Sequence, residues 1–143
     1  MKRELILTIN PGSTSTKVSI FRDEEEIKSN KIYHKDEELK KFKRIIEQYD
    51  YRLNLITDWL EKENIQIDSL RAVVGRGGIL RPIPGGTYLV TEKMIEDLRI
   101  GIGAEHAANL GGILAKGIAD KANVPAFIVD PVSVDEFEEV AFP

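Results

Sequence analysis

The sequence contains no cysteine, which excludes a disulfide framework, a thiolate zinc site and a cysteine nucleophile together. Nor is positive charge in excess. Lys and Arg number 20 against 24 Asp and Glu, with no cationic block that stands out, so the electrostatic footprint of a nucleic-acid binder is missing. No apolar run approaches the ~20 residues that span a bilayer. The N-terminal "MKRELILTINPG" holds a five-residue apolar run beside Glu4, too short for the core of a secretory signal. The expectation is a soluble, cytoplasmic protein with no nucleic-acid and no membrane partner. What is present is 143 residues at 42% hydrophobic content, the size and composition of one core-bearing domain.

Residues 4–9, "ELILTI", form a nearly continuous apolar run of strand length, the pattern of a strand covered on both faces. Residues 15–21, "STKVSIF", place Thr16, Val18 and Ile20 on one side. The segment "RDEEE" then turns the chain into 27–33, "IKSNKIY", a weaker strand nearer an edge. This predicts a three-strand antiparallel meander. From Asp36 to Asn64 there is neither glycine nor proline, and Leu39, Phe42, Ile46, Tyr49, Leu53, Ile56 and Leu60 recur at three- and four-residue steps. That is a helical stripe, with Asp36 as its N-cap and Asp50 as the start of a second helix if the chain bends. "LRAVVG", 70–75, reads as a buried strand, and the glycines and prolines of "RGGILRPIPGGTYLV" predict a long loop. Thr91 is positioned to cap a helix through about Arg99. A second helix is expected over 104–122, where Ala107, Ala108, Gly111, Gly112, Ala115 and Gly117 allow another backbone to approach closely. "VPAFIVD", 124–130, is a further strand, and "DEFEEV" begins a last helix.

The chemistry concentrates in "LTINPGSTSTKVSIF". Gly12 to Lys17 has the length of a Walker A loop up to its lysine, but Thr16 stands where the glycine before that lysine belongs, and the loop opens a strand rather than a helix. G-x-G-x-x-G is absent, which removes the Rossmann fingerprint. What remains is a tight hairpin whose Gly12, Ser13, Thr14 and Ser15 amides and hydroxyls can converge on an anion, between Asn10 and Lys17. On these residues alone a polar hairpin turn explains the stretch equally well, since Asn, Pro, Gly and Ser are ordinary turn residues. Three further residues weigh toward the anion site. Arg76 and Asp130 fall at the carboxyl ends of predicted strands, where α/β sheets gather ligands, and His106 falls near the start of the small-residue helix. The other histidine, His34, at a strand–helix junction, is read as a surface residue.

The segments "INPGSTSTK", "VGRGGILRPIPGGTYLV", "AEHAANLGGILA" and "VPAFIVDPVSVDEFEEVA" together resemble the acetate and butyrate kinase family, most closely its butyrate kinase branch. Pro11 and "RPIPGG" favour that branch. The resemblance implies an α/β fold of the actin-like, ribonuclease-H-like type, in which a mixed sheet opens with an antiparallel three-strand meander followed by helices and parallel strands. It implies that residues 1–143 are the N-terminal domain of a carboxylate kinase, with a second, C-terminal domain outside this chain. The implied reaction transfers phosphate from ATP, with Mg²⁺, to a short-chain carboxylate, butyrate or a branched analogue, in a protein that is a homo-oligomer when full length. Alternatives are an acetate or other short-chain carboxylate kinase and a non-catalytic phosphate-binding module.

Carried over by position, Asn10, Gly12, Ser13, Thr14, Ser15, Thr16 and Lys17 would face the ATP phosphates. Arg76 and His106 would neutralise the transferring phosphoryl group and orient the acid, and Asp130 with Asn10 would organise Mg²⁺. Two departures stand out. Acetate kinases carry the strand arginine a few residues before the glycine pair, where this chain has Val73, so Arg76 fills that role only in a shifted register. Family members are also more than twice as long.

Overall fold

The computed structural model describes residues 3–76, 87–100 and 107–129. Strand β1 (Leu5–Pro11) pairs antiparallel with β2 (Ser15–Arg22), and β2 pairs antiparallel with β3 (Glu25–Tyr33). The expected meander is therefore present. On the other side of β1, strand β4 (Leu70–Arg76) runs parallel to it, and β6 (Ala126–Val129) runs parallel to β4. The short β5 (Thr87–Leu89) closes the sheet antiparallel to β6, giving the order β3-β2-β1-β4-β6-β5. This strand corrects the expectation that the Gly- and Pro-rich stretch holds no regular element. Thr87 lies beyond the last of those glycines, and its ladder with Val129 supplies the backbone partners that local composition argues against.

The alternation along the strands assigns the two faces. Leu5, Leu7, Ile9, Val18, Ile20 and Val73 are buried toward the helices and form one core with Leu53, Ile56, Leu60, Leu110, Leu114 and Ile118. Those helices are α2 (Tyr49–Lys62) and α4 (Leu110–Ala122), with α3 (Glu92–Ile100) packed beside α4. The opposite face carries Thr8, Asn10, Lys17, Ser19, Val74 and Arg76.

The helical stripe does not run unbroken from Asp36. A short α1 (Asp36–Leu39) ends at Lys40, the backbone of Arg44 is extended (φ −122°, ψ 150°), and a 3₁₀ turn, Ile45–Gln48, leads into α2. Lys40, Lys41, Lys43 and Arg44 would stack like charges at three- and four-residue spacing, which a continuous helix penalises. Asp36 is the first residue of α1 rather than its cap, and Lys35 holds the N-cap position without a side-chain bond. The α2 helix ends at Lys62 with Glu63 as its C-cap, and Asn64 beyond it adopts a left-handed conformation (φ 57°) while the Ile65 amide donates to the Leu60 carbonyl. Helix α3 begins as expected, with the Met94 amide donating to Thr91 Oγ1 at 3.2 Å.

Helix α4 starts at Leu110, after a 3₁₀ turn at Ala107–Asn109, so the helical region is shorter than expected over 107–109. Its glycines serve close approach. A methyl group on Gly75 would collide with the Gly111 carbonyl, one on Gly111 with the Arg76 carbonyl, and one on Gly117 with the Tyr49 hydroxyl. The first turn of α4 therefore presses directly on the carboxyl end of β4. Residues 104–106 and the expected helix at "DEFEEV" lie outside the described residues.

Candidate functional site

Topology brings several chain positions to one end of the sheet. Because β1, β4 and β6 run parallel, Pro11, Arg76 and Val129 end on the same edge, and the β1–β2 hairpin tip and the first turn of α4 lie there too. Carboxyl ends of parallel strands are where open α/β sheets hold ligands. Asn10 and Lys17 are direct cross-strand partners. Together with Thr8, Ser19, Val74, Arg76 and Val129 they line a depression of about 400 Å³. A larger open groove of about 590 Å³, lined by Thr57, Leu60, Glu61, Asn64 and Lys121, lies at the far end of α2. None of the sequence-predicted residues that are described lines it.

The hairpin tip is tightly built. The Gly12 amide donates to the Ser15 carbonyl at 2.7 Å, and the His34 amide donates to the Thr14 carbonyl at 2.9 Å. Ser13 and Thr14 are exposed, and no described group accepts from their amides. Adjacent N–H donors on exposed turn residues, flanked by hydroxyls and Lys17, are the kind of groups that could receive anionic oxygens. Thr16 points the other way. Its side chain is fully buried, and its hydroxyl bonds His34 Nε2 at 2.8 Å and accepts from Arg52 Nη1 at 3.1 Å.

Beneath the tip lies a polar cluster that the sequence reading missed. His34 is only 5% exposed, which corrects its assignment as a surface residue: the β3 exit folds under the hairpin, and the ring packs edge-on to Tyr51 with centroids 5.2 Å apart. Burial, and secondarily the Arg52 guanidinium, lower its pKa to about 4, so the imidazole is neutral at physiological pH. Arg52, on α2, is completely buried. Its Nε and Nη2 donate to Gln48 Oε1 at 3.0 and 2.9 Å, its Nη1 to the Ser15 carbonyl at 3.1 Å, and its Nη2 to the Ser13 carbonyl at a long 3.5 Å. Desolvation lowers its pKa to about 10, which leaves it charged. The signal was present in the sequence. Arg52 stands three residues after Tyr49 and four before Ile56, in phase with the apolar stripe, and Gln48 precedes it by one helical turn.

Among the sequence-predicted residues, the structure thus gathers Asn10, Lys17 and Arg76 around one depression, with Gly12, Ser13, Thr14 and Ser15 at the adjoining tip. Thr16 is turned to the core side. His106 and Asp130 lie outside the described residues, although their neighbours Ala107 and Val129 are described, and Val129 lines the depression. Among the described residues no three His, Asp or Glu side chains cluster as a metal site, and no helix is long and apolar enough to cross a membrane.

No protein-family model matches the chain. Among curated proteins it is 54% identical over 136 residues to butyrate kinase 1 of Clostridium acetobutylicum and 53% identical to butyrate kinase 2 of the same organism, in each case over 95% of this chain. The chain spans 38% of the length of those relatives. Among solved structures, the acetate kinase from Entamoeba histolytica superposes with a TM-score of 0.58 at 12% identity, covering 90% of this chain and 36% of that one. A propionate kinase from Francisella tularensis gives 0.57 at 14% identity, covering 91% and 37%. At such identities the structural likeness speaks for the fold. The sequence likeness speaks for descent: this chain is a homologue of part of the butyrate kinases, built on the fold of the acetate and propionate kinases.

Proposed function

We propose that this chain is the N-terminal actin-like domain of a butyrate kinase, which transfers the γ-phosphoryl group of ATP to butanoate to give butanoyl phosphate and ADP. The observation that carries the reading is the hairpin tip: the Ser13 and Thr14 amides lack a described acceptor, and the strands that flank the tip bring Asn10 and Lys17 to a depression they share with Arg76. The similarity to proteins named butyrate kinases selects the reaction from among those an anion site could serve. A second domain would close over the nucleotide, and the full protein would work in the cytoplasm as a homo-oligomer.

The substrate carboxylate is ionised at neutral pH, so no general base is needed. Its oxygen attacks the γ-phosphorus, the bond to the β-phosphate bridging oxygen breaks, and the electrons leave with ADP. The obstacle is charge, because an anion must approach a polyanion. Positioning and charge stabilisation then supply the catalysis. Gly12, Ser13, Thr14 and Ser15 would hold phosphate oxygens, and Lys17 would add a point charge. Arg76 would orient the acid in two-point fashion, with His106 sharing the charge of the transferring group. Thr16 would act from below, fixing the loop rather than touching phosphate. Bound Mg²⁺ would neutralise phosphate charge, and Asn10 fits it as a single oxygen donor at the rim, with Asp130 as the carboxylate. A metal so placed takes most of its ligands from the nucleotide and water.

The test is hydroxamate formation by the full-length protein from butyrate, ATP and hydroxylamine. Asn10→Ala is expected to lower the rate by about 100-fold or more, and the 143-residue chain alone is expected to form no product. Absence of butyrate-dependent ADP release from the intact protein contradicts the reading. Rates with acetate, propionate and isobutyrate separate a butyrate kinase from its short-chain relatives.

A further inference from the structure

All five N–H donors of the Arg52 guanidinium have acceptors, and none of those acceptors is a carboxylate. No acidic side chain pairs with it among the described residues. Burying a cation without a counter-charge is costly, and a neutral donor would serve better if the only task were to tie a helix to a loop. The position of that charge matters. Arg52 reaches the backs of the Ser13 and Ser15 peptides, while His34 takes the Thr14 carbonyl. A trans peptide sets its N–H opposite its carbonyl, and no cis peptide bond occurs among the described residues. Holding the Ser13 carbonyl toward the core therefore turns the Thr14 amide outward, toward the open tip.

We propose that Arg52 is the positioning residue of the anion site: from the core side it clamps the hairpin tip into its receptor shape and sets an unneutralised positive charge behind it. The inference rests on the reading of the tip as the phosphate site. A phosphate group arriving on the outer side supplies the counter-charge that the fold withholds, so the loop is prepaid in both geometry and field. Gln48 completes the arrangement. Its carbonyl oxygen seats two of the guanidinium nitrogens without cancelling their charge, and it lies one turn earlier on the same helical path.

The decisive variant is Gln48→Glu, which keeps the shape and the hydrogen bonds of the seat but adds a carboxylate against Arg52. In the full-length protein, calorimetry with pyrophosphate and with ATP should show affinity weakened by about 10-fold, from the loss of a unit charge behind the site. The KM for ATP should rise with it, the KM for butyrate should stay at the wild-type value, and the thermal midpoint should not fall. Arg52→Met should weaken ATP binding further, and Arg52→Lys should recover part of it. A merely structural role for Arg52 predicts instead that Gln48→Glu, by pairing a buried charge, binds pyrophosphate and ATP as wild type does; that result overturns the proposal. Should Arg52→Met fail to fold, Gln48→Glu decides alone. A wild-type protein that binds neither ATP nor pyrophosphate sinks the functional reading, and this inference with it.

Discussion

Acidification probes the buried imidazole beneath the hairpin. His34 has its pKa lowered from 6.5 to about 4 because it is desolvated and, secondarily, because it sits beside Arg52. In the unfolded chain the same ring takes its proton near pH 6.5, so between the two values the unfolded state binds more protons than the folded one. Stability from this group is thus complete above about pH 6.5 and is lost as the pH falls toward about 4. At about pH 5 the unfolded imidazole is almost wholly protonated while the folded one is mostly neutral, a difference worth ~2 kcal/mol. Urea denaturation followed by circular dichroism, at about pH 7.5 and about pH 5, measures it. With a slope of ~1.5 kcal/mol per molar urea, the wild-type midpoint should fall by about 1 M more than that of His34→Gln, which cannot titrate. Carboxylates elsewhere shift both proteins alike and cancel in the comparison. Equal shifts in the two proteins, or an imidazole that titrates by NMR near pH 6.5, would refute the reasoning.

Gly75→Ala should lower stability by about 2 kcal/mol or more, because the new methyl meets the Gly111 backbone, which cannot yield as a side-chain tip would; a melting curve superimposable on wild type would show that α4 does not press on β4. Thr91→Ala should cost about 1 kcal/mol through the lost cap on the Met94 amide, readable as a shift in the urea midpoint that Thr91→Ser restores.

Much of the frame was legible because local pattern and tertiary structure agree. The apolar run at Leu5 to Ile9 does become a central strand, the Thr16, Val18 and Ile20 alternation does face the core, and Thr91 does cap α3. The small-residue run of α4 predicts close approach, and Gly111 against Arg76 is such a site. What was not legible depends on partners distant in sequence. Nothing near His34 marks it as buried, since its contacts come from Thr16, on the preceding hairpin, and Tyr51, on the following helix. Arg52 stands in phase with the apolar stripe, but its task is visible only once the hairpin carbonyls are placed over it. The stripe from Leu39 to Ile46 keeps helical spacing, yet the backbone is extended at Arg44 and the helix is interrupted there. β5 forms only because β6 lies beside it.

The site was legible in part. Asn10, Lys17 and Arg76 come from different segments, and they meet at one depression. Thr16 looks like its hydroxyl neighbours in sequence, but strand alternation turns it to the opposite face from Lys17, where it joins His34 and Arg52. A hydroxyl run of four looks uniform in sequence; the two-residue period of the strand divides its labour.

The most direct measurement is a titration of the isotopically labelled full-length protein with pyrophosphate and then ATP, followed through its backbone amide resonances. The largest shifts should fall on Gly12, Ser13, Thr14 and Ser15, saturate, and weaken in Gln48→Glu. Saturable nucleotide binding that leaves those four amides unmoved would contradict the reading of the tip as the phosphate site.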